Sequence, residues 1–288
     1  MNRIINNQHI FNKFSLSGLS AIVTGGAGLL GAEFCRTLAE AGAQVTIADL
    51  NIRAAQNLAD TLSGKGFQVI PVQTDSTKPE SVREIVSRTV DAFGSVNILV
   101  NSAAMDPKFD PQHTSINKEK TAAENMTASF EEYPLESWRT AIEVNLTSAF
   151  ICCQEVGKRM LAQGGGVIIN ISSIYGIAGP DQRIYKTPDS PPQYKPAYYS
   201  VTKAGILGLT RYLAAYYTGK NIRVNALSPG GVFNDHEDSF VHAYSARTIL
   251  GRMAARDEMN GALLFLASDA SKYMTGANLV VDGGWTAW

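Results

Sequence analysis

The sequence predicts an α/β fold, a single domain built on a doubly wound parallel sheet of about seven strands. Two observations carry that expectation. Apolar, β-branched runs alternate with helical periodicity from residue 20 to the end, the pattern of repeated βαβ units. The 288 residues are 45% hydrophobic, enough for one large core, and roughly 250 residues in a single α/β domain is ordinary.

The elements follow in order. "SAIVT" is the first strand, after which Leu30, Phe34 and Leu38 recur on one helical face until Gly42 stops the helix. "QVTIAD" is strand two, "FQVIPV" strand three and "VNILVN" strand four, the last preceded by a helix with Val82, Val86, Val90 and Phe93 on one stripe. "GVIINISS", "IRVNALSPG" and "GANLVVDGG" supply strands five to seven, with helices around 134–162, 198–217 and 257–267. Residues 1–14 read as a loosely tied arm and 15–288 as the domain. Two stretches, about 105–134 and 175–197, are polar or rich in Pro and Asp. Both are expected to be loops or to hold only short helices, and loops this long in a compact domain are usually functional or disordered.

Composition narrows the function classes. Lys+Arg total 25 against 26 Asp+Glu, a net charge of -1, so nothing electrostatic argues for nucleic acid or an anionic membrane. A small-molecule substrate is the expected partner. "MNRIINNQHIFNKF" lacks the apolar core of a secretory signal, and no run of about 18 apolar residues could span a bilayer; the expected location is the cytoplasm. The 3 cysteines, Cys35, Cys152 and Cys153, suit neither a disulfide framework nor a C-x-x-C site and read as reduced. Sequons at Asn125, Asn145 and Asn170 read as coincidental, and His9, His113, His236 and His242 lack ligand spacing, so no metal site is expected.

"TGGAGLLG", Thr24 to Gly31, directly follows a strand and opens a helix. Glycine there permits a tight turn and lets backbone N–H groups and the helix N-terminus approach a pyrophosphate. Asp49 ends strand two about 20 residues after Gly26, where a carboxylate accepts hydrogen bonds from the adenosine ribose hydroxyls and repels a 2′-phosphate. That favours NAD over NADP as cofactor. The opposing reading makes Asp49 a cap for the next helix and gives Arg53 to a phosphate. In "YYSVTK", Tyr199 and Lys203 share a helical face, while Ser172 and Ser173 follow strand five at the sheet edge that binds ligands. Exchange of hydride at a carbon needs one proton acceptor and one hydrogen-bond donor at the attached oxygen, and free tyrosine, at about 10, needs help to serve.

From about Ser20 to Gly284 the chain resembles the short-chain dehydrogenase/reductase family. "TGGAGLLG", Asp49, Asp75, "NSAA", Asn145, "NISS", Tyr199-x-x-x-Lys203 and "SPGGV" arise in family order. The resemblance implies a Rossmann-type fold with Asn145, Ser173, Tyr199 and Lys203 as the catalytic set. Tyr199 is then the general acid/base, and Ser173 polarises the substrate oxygen. Lys203 binds the nicotinamide ribose and lowers the tyrosine pKa, and Asn145 supports a proton relay. The implied cofactor contacts are Gly25, Gly28, Leu29, Leu30, Asp49, Asp75, Asn101, Ala103, Tyr199, Lys203, Pro229, Gly230, Val232 and Asn234. Asp75 would flank the adenine or start a turn with Ser76 and Thr77, and Val232 would meet the nicotinamide or be plain core. Tyr198 reads as packing and Ser172 as structural.

Departures from the family pattern bear on substrate. Gly28 and Leu29, and the separation of Ser173 from Tyr199, resemble the extended, nucleotide-sugar branch. "SPGGV" and "VVDGG" belong to the short branch, and the chain ends too early for a separate substrate domain. Ala104 replaces the glycine that usually ends the "NSAA" motif, and Asn234 stands where a threonine is usual. Lys118, Lys120, Arg183, Tyr185 and Lys186 in the two loops suit a polar or phosphorylated substrate or a solvated surface. The leading reading is an NAD-dependent oxidoreductase of secondary alcohols and carbonyls, with sugars or sugar derivatives as the substrate class. A sugar-nucleotide epimerase or dehydratase with bound NAD, and an NAD sensor without catalysis, are the alternatives. The resemblance also implies a homodimer or homotetramer.

Overall fold

The computed structural model describes residues 9–106, 128–186 and 193–288. Seven strands, β1 (Ser20–Thr24), β2 (Gln44–Asp49), β3 (Val69–Gln73), β4 (Ile98–Asn101), β5 (Gly166–Ile171), β6 (Ile222–Pro229) and β7 (Asn278–Val281), form one sheet in the order β3-β2-β1-β4-β5-β6-β7. Every pairing is parallel. The order reverses between β1 and β4, which opens a crevice beyond their carboxyl ends.

Helices cover both faces: α1 (Leu29–Glu40), α2 (Ile52–Ser63), α3 (Pro79–Phe93), α4 (Leu135–Ile142), α5 (Ser148–Gln163), α6 (Ala197–Tyr216), α7 (Asp238–Ser245) and α8 (Asn260–Ala267). Strand alternation sorts the core into two layers. Ala21 and Val23 of β1 pack with Phe34, Cys35 and Leu38 of α1 and Leu263 of α8. Ile22, between them, faces the other layer with Val82 and Ile85 of α3, Val156 of α5 and Leu213 of α6. Being buried on both faces is why these strands read as continuous apolar runs.

Two differences from the sequence expectation have physical causes. The helix expected over 134–162 is broken at Glu143–Thr147 by a π turn, where Asn145 both accepts from the Met105 N–H (2.6 Å) and donates to the Met105 carbonyl (3.0 Å). A widened turn is how a helix accommodates such an inward polar clamp, and π bulges gather at functional sites. Helix α7 follows a polar stretch and gave no sign of itself; it is held by the packing of Tyr244, Phe240 and Trp285 rather than by propensity. Within 175–197 the described part carries only short 3-10 turns, one of them Gln182–Tyr185.

Among the described residues no helix is long and apolar enough to cross a membrane, and no cluster of metal-ligating side chains was found. The three cysteines are buried free thiols, and burial raises all three well above the usual thiol range, Cys153 to about 12. The sequons at Asn145 and Asn170 are buried, at 2% and 0% exposure, and closed to any glycosyl group; the one at Asn125 lies outside the described residues.

Candidate active site

A cleft of about 1090 Å³ lies over the crevice, walled by the β1–α1 turn, the ends of β4 to β6 and the segment around α7. Its floor at one end is glycine by necessity. Gly25 has φ +62°, and a Cβ there would meet Ala103 Cα at 2.8 Å; a Cβ at Gly31 would meet the Gly25 carbonyl oxygen at 2.0 Å. The turn therefore folds flat against the end of β4 with α1 seated directly upon it. Gly28 caps α1 without a side-chain partner, so the first N–H groups of the helix face the cleft, a ready seat for an anion.

Asp49 supports the same turn. Its carboxylate accepts from Ala27 N (3.0 Å) and Asn51 N (2.9 Å), while the cap of α2 is Asn51, which accepts from Ala54 N. The helix-cap alternative for Asp49 thus falls to its neighbour, and Arg53 is exposed. Asp75 forms the turn that the sequence allowed, accepting from Thr77 N (3.0 Å) and Thr77 Oγ1 (2.6 Å), and still lines the cleft.

At the other end, Tyr199 and Lys203 stand one turn apart on α6 beside Ser173, the second residue past the end of β5. The Ser173 side chain is hydrogen-bonded to Tyr199 and caps the following turn by accepting from Tyr175 N (3.2 Å). Lys203 is 4% exposed; its Nζ donates to the Ile171 carbonyl (2.9 Å) and lies 5.7 Å from the Tyr199 ring centroid. Burial, helped by nearby Lys195 and against the pull of Asp106, lowers the Lys203 ammonium to about 8. Burial and Asp106 push the Tyr199 phenol well above 10, against the Ser173 hydrogen bond. The acidification expected from Lys203 is not seen in this state, and burial keeps the phenol protonated, a proton donor.

The remaining sequence-derived residues divide clearly. Leu29, Leu30, Ala103, Pro229, Gly230, Val232 and Asn234 line the cleft. Val232 also packs against the core, which unites its two readings. The Asn234 side-chain oxygen accepts from Arg256 (3.0 Å). Asn101 and Asn145 stand behind the wall. Asn101 turns into the sheet, donating to Asn170 (2.8 Å) and Cys153 Sγ (3.2 Å). Ser172 donates to the Lys203 carbonyl (2.8 Å) and Tyr198 is fully buried, both structural as read.

This geometry has close relatives. The family model described as Enoyl-(Acyl carrier protein) reductase matches residues 26–286. Cis-4-hydroxycyclohexanecarboxylate dehydrogenase of Sinomonas cyclohexanicum is 35% identical over 93% of this chain and 96% of its own length. The chain belongs to the short-chain dehydrogenase/reductase family. D-threitol dehydrogenase of Mycolicibacterium smegmatis is 33% identical, covering 95% of each chain. The structure of gluconate 5-dehydrogenase from Burkholderia cenocepacia, in complex with NADP and tartrate, superposes with a TM-score of 0.81 at 29% identity, covering 97% of this chain and 100% of that one. As a short-chain dehydrogenase/reductase the protein is an oxidoreductase acting on CH–OH groups.

In this short-chain dehydrogenase/reductase the substrate end of the cleft is aromatic. Tyr175, Tyr185, Tyr244 and Trp285 form a buried cluster, with the Tyr175 and Tyr185 hydroxyls 2.8 Å apart. Arg183, left open between substrate contact and solvated surface, is 76% exposed and spent on Asp181; Asp181 also takes Arg247 at 2.5 Å, which ties the loop to the end of α7. Tyr185 and Lys186 do line the cleft. Lys118, Lys120 and His113 lie outside the described residues. Sequence reasoning missed Asp106 and Lys195, which pair across the cleft mouth. They sit in the polar loops, where no periodicity marks an inward side chain; the sole sign was the closeness of Lys195 to Tyr199.

Proposed function

We propose that the protein is an NAD-dependent dehydrogenase that interconverts a secondary alcohol and its carbonyl, with polyhydroxylated compounds such as sugars and their derivatives as substrates. The observation that carries this is one continuous cleft with the glycine turn at one end and Ser173, Tyr199 and Lys203 at the other. The residues present fit a dinucleotide: a cradle that any Cβ would fill at Gly25 and Gly31, an open helix N-terminus and a carboxylate at the end of β2. When bound, the nicotinamide supplies the acceptor or donor of hydride.

The rest is the work of the chain. Gly25, Gly28, Leu29 and Leu30 would receive the diphosphate, Asp49 the adenosine ribose and Asp75 the adenine side. Ala103, Pro229, Gly230, Val232 and Asn234 would enclose the nicotinamide end, with Asn101 fixing the end of β4 from behind. Tyr199 Oη takes the hydroxyl proton during oxidation and returns it during reduction, while Ser173 Oγ donates a hydrogen bond to the same oxygen. Lys203 Nζ holds the nicotinamide ribose, and Asn145 steadies the π turn behind the lysine. Residues 15–288 act as one domain, and the described part of the N-terminal arm, Ile10–Phe14, rests against it at Asp269–Ser271. The relatives named for a tetritol and a sugar acid support the substrate class; the NADP in one of them weighs against NAD, and the Asp49 carboxylate supports it.

Phe150, Leu161, Tyr212 and Tyr216, on α5 and α6, keep 42–64% exposure, which supports a homodimer or homotetramer through these helices. The reduced cysteines support a cytoplasmic location.

The test is turnover followed at the NADH absorbance, with sugars, sugar acids and polyols against NAD and NADP. Turnover of a polyhydroxylated alcohol with NAD is expected; silence across the panel overturns the reading. Asp49→Asn keeps an acceptor for Ala27 N but removes the charge that repels a 2′-phosphate. The ratio of kcat/KM for NADP over NAD is expected to rise about 10-fold or more, and an unchanged ratio takes the discrimination away from Asp49. The raised phenol predicts a pH signature as well. Carbonyl reduction, which uses the protonated phenol, holds steady through neutrality and falls only as Lys203 loses its charge at about pH 8, while alcohol oxidation climbs from neutrality towards that point. A reduction rate that drops at a midpoint near neutrality assigns the proton to another group.

A further inference from the structure

Lys195 and Asp106 form an ion pair at the substrate end of the cleft, brought there from opposite sides by the segment before α6 and the segment after β4. Lys195 is 7% exposed and its Nζ lies 4.1 Å from the centroid of the Tyr199 ring. Its position is fixed in advance, because Gln182 clamps the Lys195 peptide on both sides, donating to its carbonyl (2.9 Å) and accepting from its N–H (2.9 Å). Asp106 is half exposed, and the exposed part of both residues faces the cleft. Neither belongs to the proton-transfer set.

We propose that Lys195 and Asp106 together bind a hydroxyl on the carbon next to the one that reacts, and so select vicinal polyols over simple alcohols and hydroxy acids. This rests on the function proposed above and narrows its substrate class. An ammonium has three donors and a carboxylate about four acceptor sites, more than the one bond between them uses, and both residues line the cleft. A hydroxyl donates and accepts at once, which matches a fixed donor beside a fixed acceptor. A carboxylate in the same place would meet Lys195 but be repelled by Asp106. A hydrogen or methyl group would displace water from both charges and return nothing, the arrangement by which polar sites reject analogues that lack a group. Closeness to the Tyr199 ring sets the position: a group held by Lys195 is next to the oxygen held by Tyr199 and Ser173.

The experiment compares kcat/KM for D-threitol, butane-2,3-diol, butan-2-ol and 2-hydroxybutanoate in the wild type, Asp106→Asn and Lys195→Gln. Cofactor binding by calorimetry serves as the folding control in each variant. In the wild type the diols are expected to exceed butan-2-ol by about 10- to 100-fold. Lys195→Gln shrinks that preference toward unity with cofactor affinity held. Asp106→Asn weakens the diols and improves 2-hydroxybutanoate, because the repelling charge is gone. A wild-type preference near unity, or one that survives both substitutions, overturns the proposal and leaves the oxidoreductase reading intact. Absence of turnover on all four, with NAD and NADP, removes the polyol reading and this proposal with it.

Discussion

Tyr199→Phe lowers kcat/KM for the alcohol and for its carbonyl by about 10²- to 10⁴-fold, with little change in thermal stability. The phenyl ring keeps the edge contact with Tyr175 (6.4 Å between centroids) and loses the hydroxyl that exchanges the proton. Cofactor affinity stays near the wild-type value, because the glycine turn and Asp49 lie at the other end of the cleft. Ser173→Ala is the matched comparison: it removes one hydrogen bond to the reacting oxygen and leaves the proton carrier, a loss of about 10²- to 10³-fold. Steady-state kinetics in both directions, with a thermal melt of each variant, make the measurement. Retention of more than a tenth of the wild-type rate by Tyr199→Phe gives the proton to another group.

The largest effect on folding is expected from Gly31→Ala. Most glycine-to-alanine changes inside a helix stabilise it by about 1 kcal/mol, but here the new methyl would sit 2.0 Å from the Gly25 carbonyl oxygen and 2.8 Å from its carbon. Both are backbone atoms of a turn pressed against Ala103, so neither can swing aside. Relief requires α1 to lift off the sheet, which loosens Phe34 and Leu38 from the core and carries the helix N-terminus away from the diphosphate seat. The expected cost is about 3 kcal/mol, with a fall in cofactor affinity measured by titration. Gly261→Ala on α8, where a Cβ meets nothing within 4 Å, is the control and should raise the melting temperature slightly. Equal melting temperatures for the two variants contradict the close seating of α1.

The sheet was legible because its inner strands are buried between two helical layers. Runs such as "AIVT" and "VIINI" have no polar face to interrupt them, and the helices that cover them must carry an apolar stripe. The glycine turn, Asp49, Ser173, Tyr199 and Lys203 were legible for a different reason: backbone geometry or proton chemistry restricts the residue at each. What stayed hidden has no local code. The π turn at Glu143–Thr147 is set by a contact between Asn145 and Met105, far apart in the chain. Helix α7 depends on Trp285 from the C-terminus. Arg183 stayed open between substrate contact and solvated surface because a sequence shows charge but not the direction in which it points, and Lys195 was passed over for the same reason.

The tie between Asp181 and Arg247 bears on how this scaffold can be re-specialised. The wall that meets substrate is split between the segment after β5 and the segment around α7, and each brings one half of an ion pair. A chimera that takes the first segment from a relative without that aspartate leaves Arg247 with no carboxylate to meet, and one that takes the second leaves Asp181 to Arg183 alone, with the tie to α7 gone. Exchange of the two segments as a matched set keeps that tie when the specificity of this scaffold is redesigned.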